Sequence, residues 1–508
     1  MKNKFLKSAS IVIVYSLVAK FTSFFMELLV ASNMGANNET DAFYMVYGIV
    51  QIIYPMISVG IWKVFLPEYK TRTVLGKHVE AFELTNQLLS IFAFIAIVII
   101  VCVLLYPRGV ILIFAPGFCD DTFRISEYLL KIVIFIILFN ILATFSAAIL
   151  QSEKIFSKSQ LKDVVFQLPP LIYMIYSNNE CTVAGLASSI LIGSIVSAIL
   201  TYKFVNAFYR YAMPLNITNR NIVPIIKQVP IACLNSIINQ LDNVVDKAFA
   251  STLPIGAITY LNYGGKLVHL FDGILSTAIS TAVFPYMTEL IAKKEYEKIK
   301  IFFKNYIIMI CVLLMPITFW LVFYSNEIVY LIYGHGKFDD KAVEQTALVM
   351  MMYGFGLIFM CITTILNDVF FILKKSNLLL MTSVANIIFN IILDFIFIEF
   401  LGVAGLSLAT TVSLGVVLLI KLYYIRDMIR IDFSMLRIIA CVFFCCVLAM
   451  ACVLLCDKII VDTLFGRFFL GTCVFFLVFS VLIVVTDKKL KEIFMNSIKN
   501  VFSGGDSI

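Results

Sequence analysis

Four polar residues of one apolar run, Ser16, Lys20, Ser23 and Glu27, fall at i, i+4, i+7 and i+11. That spacing sets all four on one face of an α-helix. The pattern returns 219 positions later as Asn235, Asn239, Asp242 and Asp246, and the next apolar run adds Asn262, Lys266 and His269 at helical spacing. Lysines on such a face can neutralise an anionic ligand, and carboxylates can hold a cation. The bland alternative is pairing between helices, for instance Lys20 with a nearby acid.

Composition decides how much these stripes mean. The chain has 508 residues, 61% of them hydrophobic and 14% charged, with mean hydropathy +0.98. That is far outside the range of soluble domains. An ionisable residue near the centre of a bilayer costs roughly 2.5–3.5 kcal/mol. Two repeated stripes of them therefore need a reason, and pairing alone does not require recurrence in both halves. A hydrated cavity that handles a charged ligand accounts for the recurrence.

The elements that position these residues are apolar runs of about 20 residues, the length that crosses about 30 Å of hydrocarbon. Fourteen can be counted, so the expected fold is an all-α polytopic membrane protein with 14 transmembrane helices. The opening "MKNKFLKSASIVIVYSLVAK" reads as the first span, because no small-residue cleavage site follows it. With both termini on the cytoplasmic side, the outer loops hold only Arg108, Arg124, Lys337, Lys341, Lys458 and Arg467 as basic residues. This asymmetry is the positive-inside pattern, so the net charge of +7 reflects orientation and not affinity for nucleic acid.

Two related halves are visible. "VAGLASSI" at Val183 pairs with "VAGLSLAT" at Val403, "APGF" ending at Phe118 with "GHGKF" ending at Phe338, and Pro67 of "VFLPEY" with Pro285 of "AVFPYM", all at nearly one offset. The expected organisation is an N-terminal lobe over 1–210 (spans one to six) and a C-terminal lobe over 211–430 (spans seven to twelve). Two extra spans follow over 431–486, a possible groove for a lipid tail, and then a cytoplasmic tail over 487–508. The cysteines lie mostly within apolar runs; Cys441, Cys445, Cys452 and Cys456 share a face without His or acid beside them and read as packing residues.

The stretches "GANNETDAF", "LPEYK", "IFAPGF", "VDKAFAS", "LNYGGKL", "GHGKFD" and "VAGLSLATTVS" occur in the order found in the MurJ (MviN) lipid II flippase family, which the chain resembles over roughly residues 10–425. The resemblance implies the two-lobed fold of the multidrug/oligosaccharidyl-lipid/polysaccharide exporter superfamily. It also implies transport of an undecaprenyl-diphosphate-linked saccharide, most simply lipid II, from the inner to the outer leaflet of a bacterial inner membrane by alternating access. Expected partners are that lipid-linked sugar, membrane lipids and cell-wall synthases.

By position, the resemblance places Lys20, Ser23, Glu27, Asp41, Lys266 and His269 at the substrate, with Asp41 at the outer mouth of the cavity organising its cations. The pattern's arginines on spans one and two are replaced here by Met26 and Tyr54, leaving lysines, which bind phosphate as point charges without a bidentate fork. The family's sodium site, with Na+ as coupling ion, maps to Asp242 or Asp246, Asn390, Asp394 and Thr410. Oxygen donors of that kind suit a hard cation.

Three other readings stay open at this level. A related flippase would carry another lipid-linked glycan, of capsule, O-antigen or teichoic type. A cation-coupled drug exporter would share the fold and use Glu27, Asp242, Asp246 and Asp394 for a cationic drug, against which the basic cavity argues. A membrane glycosyltransferase or polymerase needs a sizeable outer domain with acids and bases. The longest outer loops here are under about 20 residues, and no nucleotide-binding loop, zinc cluster or nucleophile triad is present.

Overall fold

The computed structural model describes residues 2–177, 180–212, 229–293, 295–373, 375–426, 433–457 and 464–486. Among these the regular structure is helical throughout, with no strand. In the first half, α1 spans Lys2–Met34, and α2 (Asn38–Gly60) widens into a π-type segment at Ile61–Phe65 before α3 (Leu66–Val74). Then come α4 (His78–Leu105), α5 (Pro107–Phe114), α6 (Asp120–Val133), α7 (Ile136–Ser152), α8 (Phe156–Tyr176) and α9 (Val183–Val205).

The second half runs through α10 (Val229–Ala250), α11 (Ala257–Ala292), α12 (Tyr296–Phe323), α13 (Ser325–Tyr333), α14 (Asp340–Ile372), α15 (Ser376–Leu401) and α16 (Val403–Tyr424). It is followed by α17 (Phe433–Asp457) and α18 (Leu464–Thr486). Every expected span falls on helix over its described residues. Among the described residues, 11 helices are long and apolar enough to cross a membrane. The remaining three expected spans coincide with α8, α10 and α11, which carry Lys162 and Asp163, Asp242 and Asp246, and Lys266 and Asp272 respectively. The expected cytoplasmic tail, 487–508, lies outside the described residues.

The chain divides into two compact units, Met1–Thr259 with Tyr333–Ala342, and Tyr260–Ile332 with Val343–Ile508. The boundary of packing thus falls after span seven, while the boundary of the sequence repeat falls before it. The reason is that α10 lies along α2 in the first unit. There the Lys247 ammonium donates to the Tyr44 carbonyl at 3.0 Å. Gly48 makes room for it, since a Cβ there would stand 2.6 Å from Lys247 Nζ.

In the first unit α1 packs on α8, α8 and α7 on α9, and α2 on α6. Helix α8 runs unbroken through Pro169 and Pro170. α2 begins with a capping box: the Asn37 side chain accepts from the Glu39 and Thr40 amides at 2.9 and 3.1 Å, and the Thr40 hydroxyl accepts from the Asn37 amide at 2.9 Å. The polar turn between spans one and two is therefore a helix start.

At this end of the unit the repeat closes on itself. The Gly117 amide of "APGF" donates to the Ser251 hydroxyl at 3.1 Å, at the end of α10. The Lys337 amide of "GHGKF" donates to the Ser32 carbonyl at 2.7 Å, near the end of α1. Ser32 and Ser251 are repeat equivalents, as are Gly117 and Gly336. Gly336 has φ +67°, and a Cβ on it would lie 2.2 Å from the Ser32 carbonyl oxygen, so only glycine fits. Between the two clasps the Thr259 and Thr40 hydroxyls meet at 3.1 Å, residues 219 apart in sequence.

In the second unit α15 packs on α16, α17 on α18, and α12 on α17. The Trp320 indole donates to the Thr472 hydroxyl at 3.0 Å and ties α12 to α18. Gly264 serves close packing of α11 on α14, because a Cβ would meet Val349 Cγ1 at 2.7 Å and the Thr346 carbonyl oxygen at 2.9 Å. Phe444, Leu448 and Leu477 of α17 and α18 face outward, as hydrocarbon-facing side chains do.

Candidate functional site

A cavity of about 360 Å³ opens inside the first unit, between α1, α2, α7, α8 and α9. Its volume lies at the low end of small-ligand sites. The polar face of α1 supplies Ser16, Lys20 and Ser23 to its wall, α2 supplies Tyr47, Gln51 and Tyr54, and α7 supplies Asn140. From α8 come Lys162, Asp163 and Gln167, and from α9 Ser197. No ion pair of Lys20 occurs among the described residues, so pairing does not account for it there.

Lys162 is the residue that sequence reading passed over, because it sits at the edge of an apolar run where it counts as a flanking inner charge. The structure places it within the wall, its side chain 13% exposed and its ammonium 2.6 Å from Asp163 Oδ1. Two features fix it there. The Ser197 hydroxyl donates to the Lys162 carbonyl at 2.9 Å, and Gly193 lets α9 approach α8 so closely that a Cβ would meet the Phe166 carbonyl oxygen at 2.3 Å.

Tyr54 lines the same cavity wall as Lys162. The Thr144 hydroxyl gives its proton to the Asn140 carbonyl at 2.7 Å, so across its 3.0 Å contact with Tyr54 it must be the acceptor. The phenol therefore donates to Thr144 and keeps its lone pairs as acceptors. Tyr54, where the resemblance leads one to look for an arginine, thus brings a hydrogen-bond acceptor to the wall that Lys162 shares.

The other expected substrate residues fall elsewhere. Glu27, three turns along α1 from Ser16, is 5% exposed and accepts a hydrogen bond from the Tyr44 phenol at 2.6 Å; it does not line the cavity. Asp41 is also 5% exposed and outside the cavity wall. Its carboxylate accepts from the Gly256 amide at 2.7 Å, the Thr259 amide at 2.9 Å and the Thr259 hydroxyl at 2.6 Å, which makes it the N-terminal cap of α11. Lys266 and His269 lie on α11 in the second unit, where the His269 ring stands 5.8 Å from that of Tyr353.

Of the residues expected to hold sodium, Asn390, Asp394 and Thr410 come together in the second unit. Asn390 and Asp394 are 0% exposed, and the Asn390 amide donates to the Thr410 hydroxyl at 3.3 Å. That hydroxyl donates in turn to the Leu406 carbonyl at 3.1 Å, and Asp394 follows Asn390 one turn on along α15. The donor set is all hard oxygen and fits a sodium ion. Asp242 and Asp246 belong to the first unit, Asp246 4% exposed. The side chains of Asn235 and Asn239, the other members of that stripe, lie outside the described residues.

A strand-free set of apolar helices built as a repeat, enclosing a lysine-bearing cavity within one unit, defines a polytopic membrane transporter. A family model described as lipid II flippase MurJ matches residues 30–479, and the chain belongs to that family. The probable lipid II flippase MurJ of Buchnera aphidicola subsp. Schizaphis graminum is 24% identical over 417 residues, 80% of each chain. A solved structure of lipid II flippase MurJ in an inward closed conformation matches with TM-score 0.80 at 19% identity, over 92% of this chain and 98% of that one. An inward-facing multidrug resistance MATE transporter of the MOP superfamily matches with TM-score 0.63 at 13% identity, over 82% of this chain and 97% of that one.

Proposed function

We propose that this chain carries lipid II, an undecaprenyl-diphosphate-linked saccharide, from the inner to the outer leaflet of the bacterial inner membrane by alternating access, with both termini in the cytoplasm. The observation that carries this reading is the lysine-bearing cavity in a chain of the lipid II flippase family. A diphosphate cannot cross hydrocarbon unaided, because its charge would lose hydration without compensation. Within the cavity Lys20 offers it a cation and Ser23 a hydrogen bond. The polyprenyl tail stays in lipid, and cell-wall synthases on the outer face use the product.

The test is depletion of the chain in its own cell, with lipid-linked precursors measured leaflet by leaflet. Lipid II accumulates on the inner leaflet and wild-type chain relieves it. Accumulation of a different undecaprenyl-linked glycan, or of none, overturns the substrate assignment.

Sodium is the coupling ion in this proposal, held in the second unit by Asn390, Asp394 and Thr410; bound there, it offsets the charge of the buried Asp394 carboxylate. Replacing external sodium by N-methylglucamine should lower the flipping rate at least about tenfold, the effect of roughly 1.4 kcal/mol. Asp394→Asn should make the remaining rate indifferent to sodium. A wild-type rate that ignores sodium rejects the coupling.

A further inference from the structure

The cavity wall carries two cations and one anion: Lys20 on α1, and Lys162 with Asp163 on α8. Its remaining polar groups, among them Ser23, Gln51, Asn140 and Gln167, are neutral. The two lysines differ in their surroundings. Lys20 has no ion pair among the described residues, whereas Lys162 is held by Asp163 at 2.6 Å and shares the wall with a Tyr54 phenol whose own proton is committed to Thr144.

An ammonium has three protons to donate. Asp163 takes one, which leaves two for groups in the cavity. The pair is lopsided in burial, with the lysine side chain 13% exposed and the aspartate 48%. A half-exposed carboxylate can exchange its partner for water at modest cost, while a mostly covered ammonium needs another anion in its place.

We infer that Lys162 is a second phosphate-binding residue of the cavity, with Asp163 as its resting counter-ion, and that it sets a preference for diphosphate over monophosphate. The inference rests on the function proposed above and concerns the recognition of its substrate's headgroup. With Asp163 in place the three charged groups sum to one positive charge, which suits a monophosphate diester. When an entering anion displaces Asp163 toward solvent, Lys20 and Lys162 together face two phosphates. Lys162 is then paired in both states, so the membrane never has to hold it alone.

The experiment uses the full chain in nanodiscs, with lipid II, a diphosphate diester, and an undecaprenyl monophosphate-linked sugar, a monophosphate diester, as probes. Wild-type chain should bind the diphosphate at least about tenfold more tightly than the monophosphate. Lys162→Gln should remove that preference by weakening the diphosphate alone, and Lys162→Arg should keep it. Asp163→Asn should tighten the diphosphate, because the competing carboxylate is gone; a merely structural ion pair would not produce that gain. Lys162→Gln combined with Tyr54→Arg should regain the preference, since position 54 lies on the same cavity wall. A preference that survives Lys162→Gln, equal loss for both lipids, or weaker binding in Asp163→Asn overturns the inference and leaves the function standing if wild-type chain still flips lipid II. Wild-type chain that binds neither lipid removes both.

Discussion

Asp41→Ala should destabilise the protein by about 3–5 kcal/mol, because it strips the cap from α11 at three buried donors at once. The Gly256 and Thr259 amides and the Thr259 hydroxyl all point at this carboxylate. In the alanine variant the two amides keep no side-chain acceptor, and the hydroxyl keeps only Thr40. Asn at the same position keeps one acceptor oxygen and should cost about half as much. Thermal unfolding of the detergent-solubilised chain separates two roles for Asp41. If Asn is as damaging as Ala, the negative charge itself matters, as in an organiser of cavity cations; if Asn is intermediate, the cap explains the residue.

Lys20→Ala should do the reverse, lowering lipid II flipping by roughly 10- to 100-fold while leaving the unfolding temperature nearly unchanged. A charge-assisted hydrogen bond contributes about 1.5–3 kcal/mol, which sets the size of the transport loss. The absence of a stability cost follows from the cavity: no ion pair of Lys20 occurs among the described residues, so its removal strands no acid. Lys20→Arg should retain most activity, since an arginine also carries a positive charge to the same wall. Flipping in reconstituted vesicles and unfolding of the same preparations decide the matter. A large stability loss with Lys20→Ala would mean that the lysine is structural.

What the sequence displays clearly is what depends on hydrocarbon thickness and on duplication. Apolar runs of spanning length became helices, and the offset between halves became contacts between repeat equivalents such as Thr40 and Thr259. The polar face of α1 was legible because helical periodicity is local; Ser16, Lys20 and Ser23 do share one wall. Glu27 keeps the same face but lies beyond the cavity, where Tyr44 meets it, and periodicity carries no information about depth. Asp41 was read by its charge, yet its partners lie 215 and 218 residues away and are mostly backbone amides, which every sequence position possesses alike. Lys162 was hidden for the opposite reason. A lysine at the edge of an apolar run is the ordinary mark of a cytoplasmic flank, and only the closeness of α8 to α9 turns it inward.

The reciprocal clasp of the first unit bears on how such a chain arose. "APGF" of the first repeat grips the end of α10, and "GHGKF" of the second grips the end of α1, so each copy holds the other by the same part. Two identical six-helix chains related by a two-fold axis would make this contact twice over, as self-complementary interfaces do, with the two threonines meeting on the axis. A gene encoding one repeat could therefore have worked as a homodimer before duplication and fusion. Fusion then freed the copies to diverge, so that Lys20 and Ser23 of one copy now answer to Asn239 and Asp242 of the other.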